Sequence, residues 1–440
     1  MRQILIALLL VATLVEASYT ISKGKRAKSS IDRLPFHSVA DMKRIPQKTS
    51  YYAKQIKPIS WAKQRQYDKA YNRRYFSPWK KSKMGVLVDQ MTWQVRFVRK
   101  KTIYNRRSKA ISKRTLESWI TNSNLENVDK VHARAISVKH TNLRAFPTTA
   151  GAYRDPWKST EGFPFDYNQN SGLHINTPLY ISHYSRDRRW AFVHAGHAFG
   201  WVKFSDIALV NHAFMMSFQT GKYAISTTDD LILRNGKKVV SIIKLGAIFP
   251  MTSNKKLLIV AEKNKNNYAV ARRMKRPSST LVTQKPVKFN RKNVARISQE
   301  FYNEPYGWGG KLGTRDCSAT TRDFFGCFGI YMERNSAKQA KSGRAINIRG
   351  MKKDAKKKAI IQKAKPFLSM LYVKGHIGIY IGQHRGEPVI MHTYWGVRLK
   401  DWNKYTLART IITTTEPGKE LPNIREKSKL INTLQKIINF

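Results

Sequence analysis

The sequence predicts a multidomain α+β protein, with a helical N-terminal segment, two small β-barrels and a C-terminal α+β domain. Three observations lead there. At 440 residues the chain is too long for a single hydrophobic core, which favours about two to four domains. Between residues 130 and 271, short runs of alternating apolar and polar residues are separated by turns rich in Gly, Pro and Asn. Towards the C-terminus, a glycine-punctuated loop feeds a helix start at residues 305–318, and a β-hairpin pattern follows at residues 376–395.

In chain order, residues 1–18 read as a secretory signal peptide: Arg2, an apolar run over 4–15, then Glu16-Ala17-Ser18 with a small-residue cleavage site near Ala17. The run is too short to span a bilayer, and no other stretch would cross one. The chain is therefore expected to be exported, periplasmic or secreted, with no membrane span once processed. Residues 19–129 form the helical segment, with the aromatic clusters Tyr51-Tyr52, Trp61, Tyr71 and Tyr75-Phe76-Ser77-Pro78-Trp79 between its helices. Residues 130–210 and 211–271 are the two barrels. Residues 272–288, with Pro277 and Pro286, are expected to link them to the C-terminal domain at 289–440.

That last domain carries the chemistry. Asp316 is a plausible N-cap, which puts Cys317 in the first turn of a helix. There the unpaired N–H groups and the positive helix end favour a thiolate and can lower its pKa to roughly 3.5–7.5. The chain has two cysteines, Cys317 and Cys327. Within one helix they would lie about 15 Å apart along its axis, against about 4.4–6.8 Å between Cα atoms for a disulfide. Cys327, among Phe324, Phe325 and Phe328, reads as a core residue. In the hairpin, Ile377, Ile379 and Ile381 alternate with Gly378, Tyr380 and Gly382, and a turn falls at Arg385-Gly386. His376 opens the outgoing strand on the face opposite the isoleucines. His392 closes the return, so the two imidazoles should be neighbours, with His384 in the turn as a rival. A nucleophilic Cys, a His to take its proton and a third group to orient that His form a template for covalent acyl transfer.

At these residues the sequence resembles the NlpC family of bacterial cell-wall cysteine endopeptidases, which pair a D-C-S helix start with G-H-x-G-x-Y-x-G and a further His. Here these stand as Asp316-Cys317-Ser318, residues 375–382 and His392. Ala319 replaces the usual Gly after D-C-S. The resemblance implies a papain-like α+β catalytic domain, with Cys317 as nucleophile, His376 as base, His392 as its orienting group and Tyr306 beside the nucleophile. It also implies cleavage of the γ-D-glutamyl–diamino acid bond in peptidoglycan stem peptides. Asp316 and Ser318 would bind the free amine of the stem's L-alanine, with Trp308 as a further substrate contact; Asp316 as a helix cap alone is the other reading. Tyr75-Phe76-Ser77-Pro78-Trp79 is similar to the family's N-terminal clip signature. Residues 143–148, residues 163–171, Asp187-x-x-Trp190 and Gly200-Trp201-Val202 resemble the accompanying bacterial SH3-like domain. This makes the barrels SH3-like, with Asp166 and Tyr167 on a loop leaning over the cleft or else in a turn held for structural reasons.

The net charge of +55, from 82 Lys+Arg and 27 Asp+Glu, bears on partners and not on fold. Attraction to an anionic cell-envelope surface, nucleic-acid binding and a compositional habit compete to explain it. No nucleic-acid motif with a mechanism is present, so no nucleic-acid partner is expected. No cofactor and no metal is implied, and a monomer is assumed. Two other functions stay open: a non-catalytic wall-binding protein, and a papain-like amidase or acyltransferase acting on another substrate.

Overall fold

Ser60 starts the helix Trp61–Tyr75 by accepting the Lys63 N–H on its side chain, and Pro78 sits in the first turn of the 3-10 segment Ser77–Lys80 that follows. The computed structural model, which describes residues 19–26, 30–33, 36–158 and 162–440, places this helix between the other regions. The expected signal peptide at 1–18 lies outside the described residues. At the C-terminal end of the helix, the Tyr75 hydroxyl donates to the Asn176 carbonyl at 2.7 Å, and the Trp79 indole N–H donates to the Ala135 carbonyl at 2.8 Å. On its other side, the Gln64 amide donates to the carbonyls of Val287 and Phe328 and accepts from the Phe289 N–H. Asp68 pairs with the buried Lys285. The helix thus bridges the first β unit and the C-terminal domain through satisfied polar groups.

The first β unit is a seven-stranded antiparallel sheet, ordered Gln169–Leu173, Thr141–Arg144, Phe199–Lys203, Trp190–His194, Pro178–Tyr184, Ala133–Ser137, Ile207–Leu209. Alternation divides its side chains as pleating requires. Leu143, Leu179, Ile181, Val193 and Val202 fill one core. Trp190, Phe192 and Trp201 form the other with Met84 and Met91 of the N-terminal segment.

The second β unit is built from three small sheets around Leu231, Leu233, Phe249, Leu258, Val260 and Met274. Two expected boundaries change here. Residues 19–129 are not helical from their beginning: Tyr19–Lys23 is a strand, paired antiparallel with Leu231–Asn235, and it buries Tyr19 and Ile21 in this second core. Residues 272–288 are not simply a linker either. Ala269–Lys275 pairs with Leu257–Lys263, and Val282–Gln284 pairs with Tyr223–Ser226. The basic side chains of Arg272, Arg273 and Lys275 mask the strand pattern, because only Met274 among these neighbours is fully buried.

The C-terminal domain holds a six-stranded antiparallel sheet, ordered Arg344–Asn347, Lys436–Asn439, Ser369–Val373, His376–His384, Glu387–Arg398, Lys404–Thr414. Near the C-terminus, Lys436–Asn439 supplies a strand between two others. Ile377, Ile379 and Ile381 pack towards Phe324, Phe325 and Phe328 of the helix Cys317–Cys327. Tyr380 and Ile390 face the helix Lys353–Lys363 on the other side. The returning hairpin strand runs to Arg398, so His392 lies in mid-strand and not at its close.

Candidate active site

Asp316 caps the helix Cys317–Cys327, its Oδ1 accepting the Ala319 N–H at 2.8 Å. The approach needs glycine. Gly309 and Gly310 have φ of 64° and 78°, and a Cβ on Gly309 would lie 2.7 Å from the Gln169 carbonyl oxygen. That close approach lets Gln169 of the first β unit donate to the Gly309 carbonyl at 3.1 Å. Cys317 and Cys327 are both free and buried, and Cys327 sits in the phenylalanine core as expected. The thiolate expectation does not carry over. Burial, followed by the Asp316 charge, pushes the Cys317 thiol up to about 12, outweighing the backbone hydrogen bond from Ile377 and the nearby Arg334. Desolvation at the helix end exceeds what its N–H groups return, so the resting group is a thiol.

The histidines meet as the hairpin requires. His376 Nε2 lies 2.9 Å from His392 Nδ1, and His392 Nε2 lies 3.0 Å from the Thr413 hydroxyl, which donates to the Thr414 carbonyl at 2.7 Å. The Thr413 proton being committed, His392 Nε2 must carry a hydrogen and Nδ1 must accept one. His376 is then protonated at Nε2 and keeps Nδ1 as a free lone pair. This assignment follows from the network of donors and acceptors. Burial, with Lys404 adding to it, pulls His376 down to about 3, and burial followed by His376 lowers His392 well below its ordinary value, so both are neutral. Gly378 makes the neighbour relation possible, because a Cβ there would lie 2.8 Å from His392 Cβ and 2.6 Å from Ile390 Cδ1. The rival His384 is at the far turn, 3.0 Å from the Tyr51 hydroxyl.

Cys317, Tyr306 and Gly375 line two cavities, of about 790 Å³ and about 520 Å³. The larger is also lined by Asp316, Ser318, Trp308 and Tyr167, and the smaller by His376, Tyr394, Trp395 and Lys404. Tyr306 is 7% exposed, and burial followed by the neighbouring Cys317 raises its hydroxyl well above the ordinary value. From the first β unit, the Phe165 ring packs on Trp395 and Trp308, with centroids 4.7 and 5.2 Å apart, and Tyr167 lies 5.9 Å from Trp308. The loop thus reaches the cleft through Phe165 and Tyr167. Asp166 does not: it is fully buried between Arg144 and Lys311, which overcome the effect of burial and hold its carboxyl below the usual range.

Asp316 is also more committed than its cap role implies. Arg334 binds it through both Nη atoms, at 3.2 and 2.7 Å, and Ser318 donates to its Oδ1 at 3.1 Å. Thr413 and Arg334 carry no signal in the sequence. One lies in a threonine run and the other in a polar turn, and folding alone brings them to the site.

Residues 303–414 match the NlpC/P60 family, residues 152–203 an SH3 domain of the SH3b1 type, and residues 4–127 the N-terminal NLPC_P60 stabilising domain. An NlpC/P60 endopeptidase from Photobacterium damselae subsp. piscicida is 21% identical and has the same fold, at a TM-score of 0.81 over 92% of this chain and 98% of that one. An NlpC/P60 family protein from Bacillus cereus is 13% identical over 70% of this chain and 99% of its own, at a TM-score of 0.43. No curated protein matches. The SH3 match falls in the seven-stranded first β unit, and the NlpC/P60 match contains Cys317, His376, His392 and Thr413. With its stabilising segment, SH3 domain and C-terminal domain in this order, the chain belongs to the NlpC/P60 family.

Proposed function

We propose that the protein is an exported peptidoglycan hydrolase, a cysteine endopeptidase that cleaves the γ-D-glutamyl–diamino acid bond of stem peptides. The hydrogen-bonded run His376–His392–Thr413, whose His376 lines the same cavity as Cys317 at a helix start, carries this reading. His376 Nδ1 takes the Cys317 proton as Sγ attacks the glutamyl γ-carbonyl, and the same proton passes to the departing amine. The thioester is then hydrolysed by a water that gives its proton to His376, returning the thiol. Because the thiol is not ionised at rest, proton transfer accompanies attack. The Cys317 N–H and the Tyr306 hydroxyl are suited to hold the oxyanion, and losing one such donor costs on the order of 10²- to 10³-fold in rate. Trp308 and Tyr167 give the cleft apolar walls for the peptide.

The test is mass spectrometry of products from wild type and Cys317→Ala, incubated with L-Ala-γ-D-Glu-diaminopimelate peptides and with intact sacculi. Products ending in the γ-D-glutamyl carboxyl group, made by wild type alone, are expected. Binding to sacculi without any cleavage would make the protein a wall-binding module, and a thioester trapped only from a different ester or amide would move it to another acyl-transfer substrate.

A further inference from the structure

The wall beside the nucleophile supplies its own cation. Asp316 receives five donors: the Ala319 N–H at 2.8 Å, the Ser318 hydroxyl at 3.1 Å and Arg334 Nη1 at 3.2 Å on Oδ1, with the Gly309 N–H at 3.0 Å and Arg334 Nη2 at 2.7 Å on Oδ2. An ionised carboxylate has about four acceptor positions, so nothing is left for a substrate ammonium. Arg334 is itself tied down, with Nε donating to the Ser171 hydroxyl at 3.0 Å and Nη1 to the Ser318 hydroxyl at 2.8 Å. A guanidinium keeps its charge at any working pH, so it does not yield the carboxylate by deprotonating. Further along the same cavity stand Arg74, Lys81 and Lys338, with Glu333 as their one acidic neighbour there apart from Asp316. A free ammonium would enter a wall already balanced next to the thiol and positive beyond it. The cavity, at about 790 Å³, is near the upper end of the roughly 300–1,000 Å³ of small-molecule sites and has room for more than a dipeptide.

Building on the endopeptidase reading above, we propose that this subsite selects stem peptides whose terminal nitrogen is acylated, as when an alanine is amide-linked to a carboxyl group of a glycan strand, and that Arg334 sets this preference. The expected role of Asp316 and Ser318 as receptors for a free amine is thereby reversed. The two residues hold Arg334, and Arg334 excludes the ammonium.

The experiment compares kcat/KM of wild type for L-Ala-γ-D-Glu-diaminopimelate with a free α-amine and for its N-acetyl counterpart. The acetylated peptide is expected to be better by roughly 10-fold or more at pH 7. That ratio should narrow at pH 9.5, where an α-amine of pKa about 8 has lost its charge; a preference due to size alone would not move. Arg334→Gln, which frees Asp316, should shift the ratio towards the free amine. Arg334→Lys serves as a second variant if the first is insoluble, since it keeps the charge and gives up the two-pronged pairing. A wild type that prefers the free amine, or a ratio insensitive to pH, overturns the proposal and leaves the endopeptidase reading intact. Cleavage of neither peptide and of no sacculi overturns both.

Discussion

Because the Thr413 hydroxyl gives its proton to the Thr414 carbonyl, it can only accept from His392, and the tautomers of both histidines follow from that one commitment. Valine has nearly the shape of threonine but cannot accept, so Thr413→Val would let His392 take the other tautomer and present a hydrogen where His376 Nε2 needs a lone pair. His376 would then rotate or carry its proton on Nδ1, the nitrogen meant for the thiol. We expect a fall in kcat of about 10-fold, below the 10²- to 10⁴-fold that general acid–base catalysis contributes, with recovery in Thr413→Ser and little change in thermal stability. The pH profile should change as well. In wild type, burial holds His376 at about 3, so the base is unprotonated through the neutral range and activity is lost only as pH falls towards that value. A Thr413→Val enzyme with unchanged kcat and an unchanged acid limb would remove Thr413 from the mechanism.

At the next scale, two elements carry the site, the hairpin and the bridging helix. Gly378 faces Ile390 and His392 across the hairpin with no room for a methyl group. Gly378→Ala should therefore push His392 off its 2.9 Å contact with His376 and lower kcat, with KM much less affected, in a steady-state assay. Trp79, buried against Phe76, Phe214 and Phe218, docks the N-terminal segment on both β units. Trp79→Ala should cost about 3–5 kcal/mol, the range for deleting a buried Trp or Phe side chain, as read from denaturant unfolding. How much of this the sequence made legible depended on how local each signal was. Cys317 was readable because an N-cap and a run of glycines are neighbours in sequence. His376 and His392 were readable because hairpin alternation is a period-two pattern with a turn in the middle. Thr413, Arg334 and the pairing of Tyr19–Lys23 with Leu231–Asn235 were not, because each depends on a contact between separate elements that no periodicity encodes. For the same reason the sequence left Asp166 open between a cleft contact and a structural turn: its partners Arg144 and Lys311, which hold it in the buried structural place, come from a different strand and a different domain.

For the molecule as a whole, scarce acids in a chain of net charge +55 gather where the domains meet. Arg315, buried at the base of the helix Cys317–Cys327, contacts Asp229 of the second β unit at 2.8 and 3.0 Å. It also contacts Glu304 at 2.9 Å and Asp323 at 2.7 Å, and Asp323 reaches His174 of the first β unit at 3.2 Å. One guanidinium thereby ties three regions together beneath the nucleophile. Burial by itself would raise Asp229 and Asp323, but Arg315 and Lys244 around the one, and Arg322, His174 and Arg315 around the other, hold both below the ordinary carboxylate value of 3.8. A depressed carboxyl contributes stability above its unfolded pKa and loses it as pH falls through its folded one. Glu304 has the opposite sign: burial raises it from 4.5 to about 7, so its contribution is present below 4.5 and is lost as pH rises through about 7. Buried neutral histidines outweigh that single carboxyl: His376 at about 3 and His183 at about 4 take up protons on unfolding below 6.5, so thermal stability is greatest near neutral pH and falls as pH drops, most steeply below 3.8. Arg315→Met, similar in length and uncharged, should lower the melting temperature at pH 5.5, since breaking a buried pair costs about 3–5 kcal/mol. It should also flatten the acid limb, because Asp229 and Asp323 then titrate closer to their unfolded values. Differential scanning fluorimetry of both proteins from pH 3 to 8 decides it: an acid limb equally steep in the variant would mean that the junction beneath the nucleophile is held by its apolar packing and not by Arg315.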